Sequence, residues 1–258
     1  MKAVDTAGVT AHVSLACWPG LRHEQAARKL EQPVCEPLFG TLSTAHVQLV
    51  PQSFGTLTED VVDTLTAAFA QVTWRLHANV RVLPVHRVAD LSGFPLHADW
   101  FRQAARISRR LVAPAYTAHS GSRSEATLTE MLDHARRCAD LFGCPVGVEG
   151  QFPAKGDPWL VSSWPEYRQL FESGVPYAID LSHLNILAAH SGAREDGLLR
   201  EMLACECCIE VHVSDNNGRG DWHQVCEQAP WWFSMLQHLN PNAVVFSEGN
   251  HRRKRVAS

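Results

Sequence analysis

Fourteen histidines stand against 23 lysines plus arginines in this chain of 258 residues. Neutral imidazole is the commonest metal-ligating side chain, so the places where the histidines fall carry information. His86, His119, His183, His212 and His223 each end or closely follow a short apolar run. Four carboxylates, Glu149, Asp180, Asp221 and Glu248, do the same. A single Zn²⁺ takes about three or four protein ligands, so nine donors are too many for one ion and suit two or three. Imidazole with carboxylate fits Zn, Fe or Mn better than Ca or Mg, and the lack of cysteine in the set argues against a structural zinc. In Asp221-x-His223 an extended backbone puts both side chains on one face, where both can touch one ion. In Asp180-x-x-His183 a strand turning into a loop brings its second donor round to the same side. Any one of these residues alone reads as a hydrogen-bonded core or loop residue. Together they resist that reading, because clustered carboxylates repel and are costly to bury unpaired.

The elements that must position them are short apolar runs alternating with amphipathic segments. The runs cover residues 12–18, 46–51, 80–86, 111–119, 145–149, 177–183, 208–214 and 244–248. Several are apolar on both faces, as buried parallel strands are. Residues 58–72 open with a Thr/Glu capping signal and continue at helical spacing. Residues 128–142 and 164–171 are similar, the first ending at Gly143, and 229–239 has a proline near its start. This alternation predicts an α/β fold, a (β/α)8 TIM barrel, with its chemistry at the strand C-termini. No Gly-x-Gly-x-x-Gly follows an early strand, which removes dinucleotide binding. The segment 19–42, rich in Pro, Cys and Gly, reads as one short helix plus loop. Only ten residues follow the eighth run, so the last helix is irregular or missing. Capping then falls to the N-terminal segment or to a second subunit in a homo-oligomer.

Composition narrows the class. The chain is 45% hydrophobic and 19% charged, which excludes disorder and gives one domain, residues 1–258, a real core. No apolar stretch is long enough for a membrane span, and the N-terminus shows no secretory pattern. The net charge is −4, and the dense basic cluster at residues 251–255 reads as a solvated tail, so nothing advertises a nucleic-acid surface. Eight cysteines without ribbon spacing read as reduced thiols in the cytoplasm.

The string from His212 to His223, H-V-S-D-N-N-G-R-G-D-W-H, resembles the seventh-strand motif of the xylose isomerase-like TIM barrels, the superfamily that includes AP endonuclease family 2. Tyr116–His119, Val146–Glu149, Asp180-Leu-Ser-His183 and Phe246-Ser-Glu248 are similar to that family's fourth, fifth, sixth and eighth strand ends, and Val85-His86 to its early histidine strand. The resemblance implies three branches. Sugar isomerases and epimerases use a mononuclear site of the Glu149, Asp180, His212 and Glu248 type, with the two glutamates moving protons. Endonuclease IV-type enzymes use all nine ligands for three zinc ions. Enzymes like those of methanobactin and 3-thiaglutamate biosynthesis use two or three irons and O₂ on peptide-borne residues. The chain departs from the isomerases after His223, where Gln224-Val-Cys replaces a proline–glycine–glycine turn. It departs from the endonucleases in loops that are not basic.

The expectation is a metal-dependent isomerase- or epimerase-like enzyme for a small polar substrate, sugar-like or amino-acid-derived, with a centre of two or three ions. Glu149 or Glu248 would transfer the proton. The multinuclear iron enzyme and the zinc phosphodiesterase are the alternatives. Arg219 and Trp222, in the loop holding Asp221 and His223, are candidate substrate contacts, against readings as a solvated charge and a packing residue. Cys17 faces the same mouth, where packing of a small residue is the plainer explanation. Asp215 and Asn216 read as turn-shaping, and Tyr116 as core.

Overall fold

The computed structural model describes residues 8–252. The N-terminal reading and the basic residues Arg253, Lys254 and Arg255 therefore fall outside the described residues. Ten strands follow in chain order: β1 (Ala11–Ser14), β2 (Cys35–Glu36), β3 (Gly40–Thr41), β4 (Ser43–Leu49), β5 (Thr73–Leu76), β6 (Tyr116–His119), β7 (Val146–Glu149), β8 (Tyr177–Asp180), β9 (Cys208–Val213) and β10 (Val244–Ser247). Eight of them close a barrel in the order β1-β10-β9-β8-β7-β6-β5-β4, every neighbouring pair parallel. The other two, β2 and β3, form a separate antiparallel ribbon. Helices α1 (His23–Ala27), α2 (Glu59–Ala68), α3 (Ala98–Arg110), α4 (Leu128–Phe142), α5 (Trp164–Glu172), α6 (Leu181–Ser191) and α7 (Asp196–Ala204) lie along the connections. This is the expected (β/α)8 TIM barrel.

Local chemistry explains the elements that were foreseen. Thr58 caps α2 by accepting from the Val61 amide. Thr127 and Glu130 form a capping box at the start of α4, and Gly143 ends it in the left-handed region at φ 72°. Ser163 and Pro165 open α5. Outward strand residues pack under the helices; Tyr116 is fully buried and stacks on Phe142 at 4.3 Å, so it is core.

Three expectations need correction. The third barrel strand is Thr73–Leu76, not residues 80–86, which run through an irregular loop containing Pro84. Residues 229–239 form a short 3-10 helix, Phe233–His238, not an α-helix. The segment 19–42 contains the β2–β3 ribbon as well as α1. Among the described residues no helix follows β10; instead the His251 amide donates to the Cys17 carbonyl at 2.8 Å and Arg252 donates to Pro19 at 2.6 Å. No helix among the described residues is long and apolar enough to cross a membrane, and all eight cysteines are free.

The barrel interior is not a purely apolar plug. Beneath the C-terminal mouth, Arg75 pairs with Glu210 at 3.0 Å, both buried. Gln48 and the Thr117 hydroxyl donate to the same Glu210 carboxylate at 2.8 and 2.9 Å. Below them His12 and His46 meet edge to face at 5.0 Å. This filled, hydrogen-bonded layer is the floor on which the site rests.

Candidate metal centre

The parallel register carries the donors to one end. Glu149 pairs with His119 across β7 and β6, and Asp180 with His212 across β8 and β9. His77 follows β5 directly, and Glu248 follows β10. Asp180 serves twice: it ends β8 and caps α6, accepting from the amides of Ser182 and His183 at 2.7 and 3.1 Å. That cap turns the chain so that His183 swings back over the mouth.

Glu149 is the hub, and it is 1% exposed. Its Oε2 lies 3.3 Å from His212 Nδ1 and 3.5 Å from His77 Nε2. Its Oε1 lies 3.7 Å from His183 Nδ1 and 3.9 Å from His119 Nε2. On the far side His183 Nε2 stands 3.4 Å from Asp180 and 3.6 Å from Asp221. His223 bridges Asp221 at 2.8 Å and Glu248 at 3.5 Å. His223 holds a left-handed backbone at φ 45°, strain of the kind stored at functional sites.

Other atoms fix the ring tautomers. Thr117 already donates to Glu210, so its hydroxyl accepts from His77 Nδ1 at 2.9 Å, leaving Nε2 bare toward Glu149. His212 Nε2 donates to Glu210 at 2.8 Å, leaving Nδ1 bare. His183 Nδ1 donates to the Gly150 carbonyl at 2.9 Å, and His119 Nδ1 to Asp90 at 3.3 Å. Such outer partners are what orient imidazole ligands on a metal.

The electrostatics call for cations. Burial drags His119 down, but Glu149 and Asp90 outweigh it and lift the ring to about 9. Burial likewise opposes His223, yet the bond to Asp221 and the charge of Glu248 raise it to about 9. His183 rises to about 10 against its own burial, through Asp180 and Asp221. Burial, with Asp180 and Glu149 nearby, lifts Glu248 to about 7 against the pull of His212 and His223. His77, wholly enclosed, is held neutral by burial, at about 3.

These residues fit a group of divalent ions on two observations. Glu149 Oε2, His212 Nδ1 and His223 Nδ1 are buried and have no hydrogen-bond partner among the described residues, which natural structures rarely leave unexplained. His77, His119 and Glu149 offer donor atoms all within 4.8 Å of one another, as do Glu149, Asp180 and His212. Glu149 belongs to both groups and can bridge them. Asp221 adjoins these groups, 3.6 Å from His183 and 2.8 Å from His223.

Eight of the nine residues singled out from the sequence gather here. His86 does not: it lies exposed in the loop after β5, and His77 stands in its place. The signal for His77 was present. Thr73-Trp-Arg-Leu-His77 alternates, with Trp74 and Leu76 in the apolar core and Arg75 and His77 in the barrel's polar interior. Asp90 and Glu210 had no spacing signal at all. Cys17 is fully buried, its thiol against the Ser247 carbonyl at 3.5 Å, so it has no surface to offer a substrate. Arg219 and Trp222 sit exposed on the rim, where Trp222 donates to Asn217 at 3.0 Å. Asp215 pairs by backbone with Gln224, and Asn216 donates to Ser182, so both shape the loop.

No protein-family model and no curated protein sequence matches the chain. Solved structures do. A D-tagatose 3-epimerase-like protein is 16% identical over 95% of this chain and 92% of its own, with a TM-score of 0.66. AP endonuclease, family 2 from Brucella melitensis is 16% identical over 95% of each chain, at 0.62. A xylose isomerase domain protein from Alicyclobacillus acidocaldarius subsp. acidocaldarius is 13% identical over 97% of this chain and 92% of its own, at 0.56. At such identities the likeness is one of fold, the TIM barrel that this chain shares with these three proteins.

Proposed function

We propose that the chain is a metal-dependent enzyme that acts on a small polar substrate, sugar-like or amino-acid-derived, at a centre of two or three divalent ions in the barrel mouth. The observation that carries this is Glu149, buried and encircled by four imidazoles at 3.3 to 3.9 Å. Bound Zn, Fe or Mn ions supply Lewis-acid charge to oxygen groups of the substrate. His77, His119 and Glu149 would hold one ion, Glu149, Asp180, His212 and Glu248 a second, and His183, Asp221 and His223 a third.

The chain's own part is to shape the pocket and move a proton. Glu248, buried and 3.5 Å from His223, would be the group that holds or releases it. That fits isomerase- or epimerase-like proton transfer at a substrate carbon, with Trp222 and Arg219 on the rim to contact the substrate. Glu149 is less suited to share this task, since both of its oxygens face imidazoles. The same encirclement favours a second reading, in which the multinuclear centre serves a hydrolytic reaction at a phosphoester or an O₂-dependent one on a peptide-borne residue. The eight free cysteines suit a reducing cytoplasm.

Elemental analysis of purified protein separates these readings. One Mn or Mg at the centre supports the mononuclear isomerase, three zinc the phosphodiesterase, and two or three iron with O₂ consumption the oxidative enzyme. His77→Ala is expected to lower the metal count and activity, while His86→Ala leaves both as in the parent. Equal metal content in the parent and His77→Ala would refute a multinuclear centre that uses His77.

A further inference from the structure

A second cluster of donors lies outside the nine-residue centre. Cys17, in the 3-10 turn after β1, meets Glu36 of β2 and His251 of the segment after β10. One donor atom from each lies within 4.8 Å of the others. Glu36 is 4% exposed. Its Oε1 accepts from Ser247 Oγ at 2.7 Å and from His251 Nε2 at 2.9 Å. Its Oε2 is buried with no partner. A carboxylate oxygen shut away bare is costly, and the thiol of Cys17 beside it makes a long contact to the Ser247 carbonyl. His251 also lines a cavity of ≈490 Å³ with Trp18, Arg28, Lys29 and Cys35, which gives a path in from solvent.

We propose that Cys17, Glu36 and His251 form a separate mononuclear site for a zinc-class ion. Thiolate, imidazole and carboxylate together suit Zn²⁺ or its cobalt stand-in and disfavour Mg²⁺ and Ca²⁺. The ion's three ligands come from the first barrel strand's end, the β2–β3 ribbon and the chain after the last barrel strand. The site is thus a clasp, joining the first and last strands of the barrel where, among the described residues, no helix follows β10. The backbone bond from His251 to the Cys17 carbonyl already holds these pieces in register.

The test uses cobalt(II) chloride added to metal-stripped full-length protein. No residue of the main centre carries sulfur, but seven other cysteines are free, so the part of the near-ultraviolet thiolate-to-cobalt band that Cys17→Ser removes reports this site. The parent is expected to show the band, and Cys17→Ser to lack it. Glu36→Gln and His251→Gln are expected to need about 10–100-fold more cobalt to reach it, the usual loss when a metal site is weakened. His77→Ala, which lowers the metal count at the main centre, leaves the band in place, so failure at either site is read separately. No band in the parent, or a parental band in Cys17→Ser, overturns the proposal. If Cys17→Ser fails to fold, His251→Gln at the cavity edge decides: an unchanged cobalt titration overturns the site.

Discussion

Four of the five imidazoles in the mouth use one ring nitrogen on a partner outside the nine-residue set and turn the other toward a carboxylate. Two of those four depend on Glu210. It accepts directly from His212, and through the Thr117 hydroxyl it sets the tautomer of His77. Burial works against its charge, but His212 and Arg75 hold it down at about 2, so it stays a carboxylate. Glu210→Ala would leave Arg75 buried without a counter-charge. The expected cost is about 3–5 kcal/mol in denaturant unfolding. Metal affinity should fall about 10–100-fold as the two rings lose their orientation. A variant that kept parental stability and metal affinity would show that the carboxylate is not a support of the centre. Nothing in the linear sequence announces Glu210, because Cys208-Ile-Glu-Val-His212 reads as an ordinary strand until the barrel closes Gln48, Arg75 and Thr117 around it. The carboxylates of the mouth and most of its histidines were legible for the opposite reason: each stands where an apolar run stops.

At the scale of elements, the junction between β8 and α6 does two tasks with one side chain. Asp180 caps α6 and faces the centre, so substitution can separate the roles. In chelated protein, Asp180→Asn retains a capping oxygen and should unfold close to the parent, whereas Asp180→Ala should be less stable by about 1 kcal/mol. Both should lose metal. If the two variants unfolded alike, the cap would not be what turns the chain here. The misplaced third strand is instructive at this scale. Residues 80–86 are the more apolar run, but Asn79 takes a left-handed backbone at φ 59° and Pro84 has no amide to give a ladder. Thr73–Leu76 won because its alternation matches a barrel with a polar interior, a pattern that looks weak beside the buried runs of β6 and β9. Helix α6 escaped for a related reason: it is buried on most of its surface and shows little periodicity.

For the whole molecule, closure of the barrel puts two histidines under the floor of the site. Burial, with His46 beside it, lowers His12 to about 4, and burial lowers His46 as well. Both are therefore neutral in the folded barrel at pH 7. Their unfolded forms take up protons below about 6.5, so acid favours unfolding. Their contribution is complete above that pH and is lost as the pH falls toward about 4. Urea unfolding of chelated protein across this window should show a shallower decline in His12→Asn than in the parent, and identical slopes would contradict the assignment. Fold class and the strand-end location of the site could be read before any coordinates, since both follow from periodicity. The polar floor and the fastening of the tail after β10 could not, since each depends on residues far apart in sequence meeting across a closed sheet.

The central claim is that one buried carboxylate joins adjacent metal positions. Anomalous diffraction at the absorption edge of the metal found in the purified protein tests it most directly. The account predicts at least two peaks touching Glu149, one shared with His77 and His119 and one with Asp180, His212 and Glu248. A single peak at the mouth, or none within ligand distance of Glu149, would contradict it.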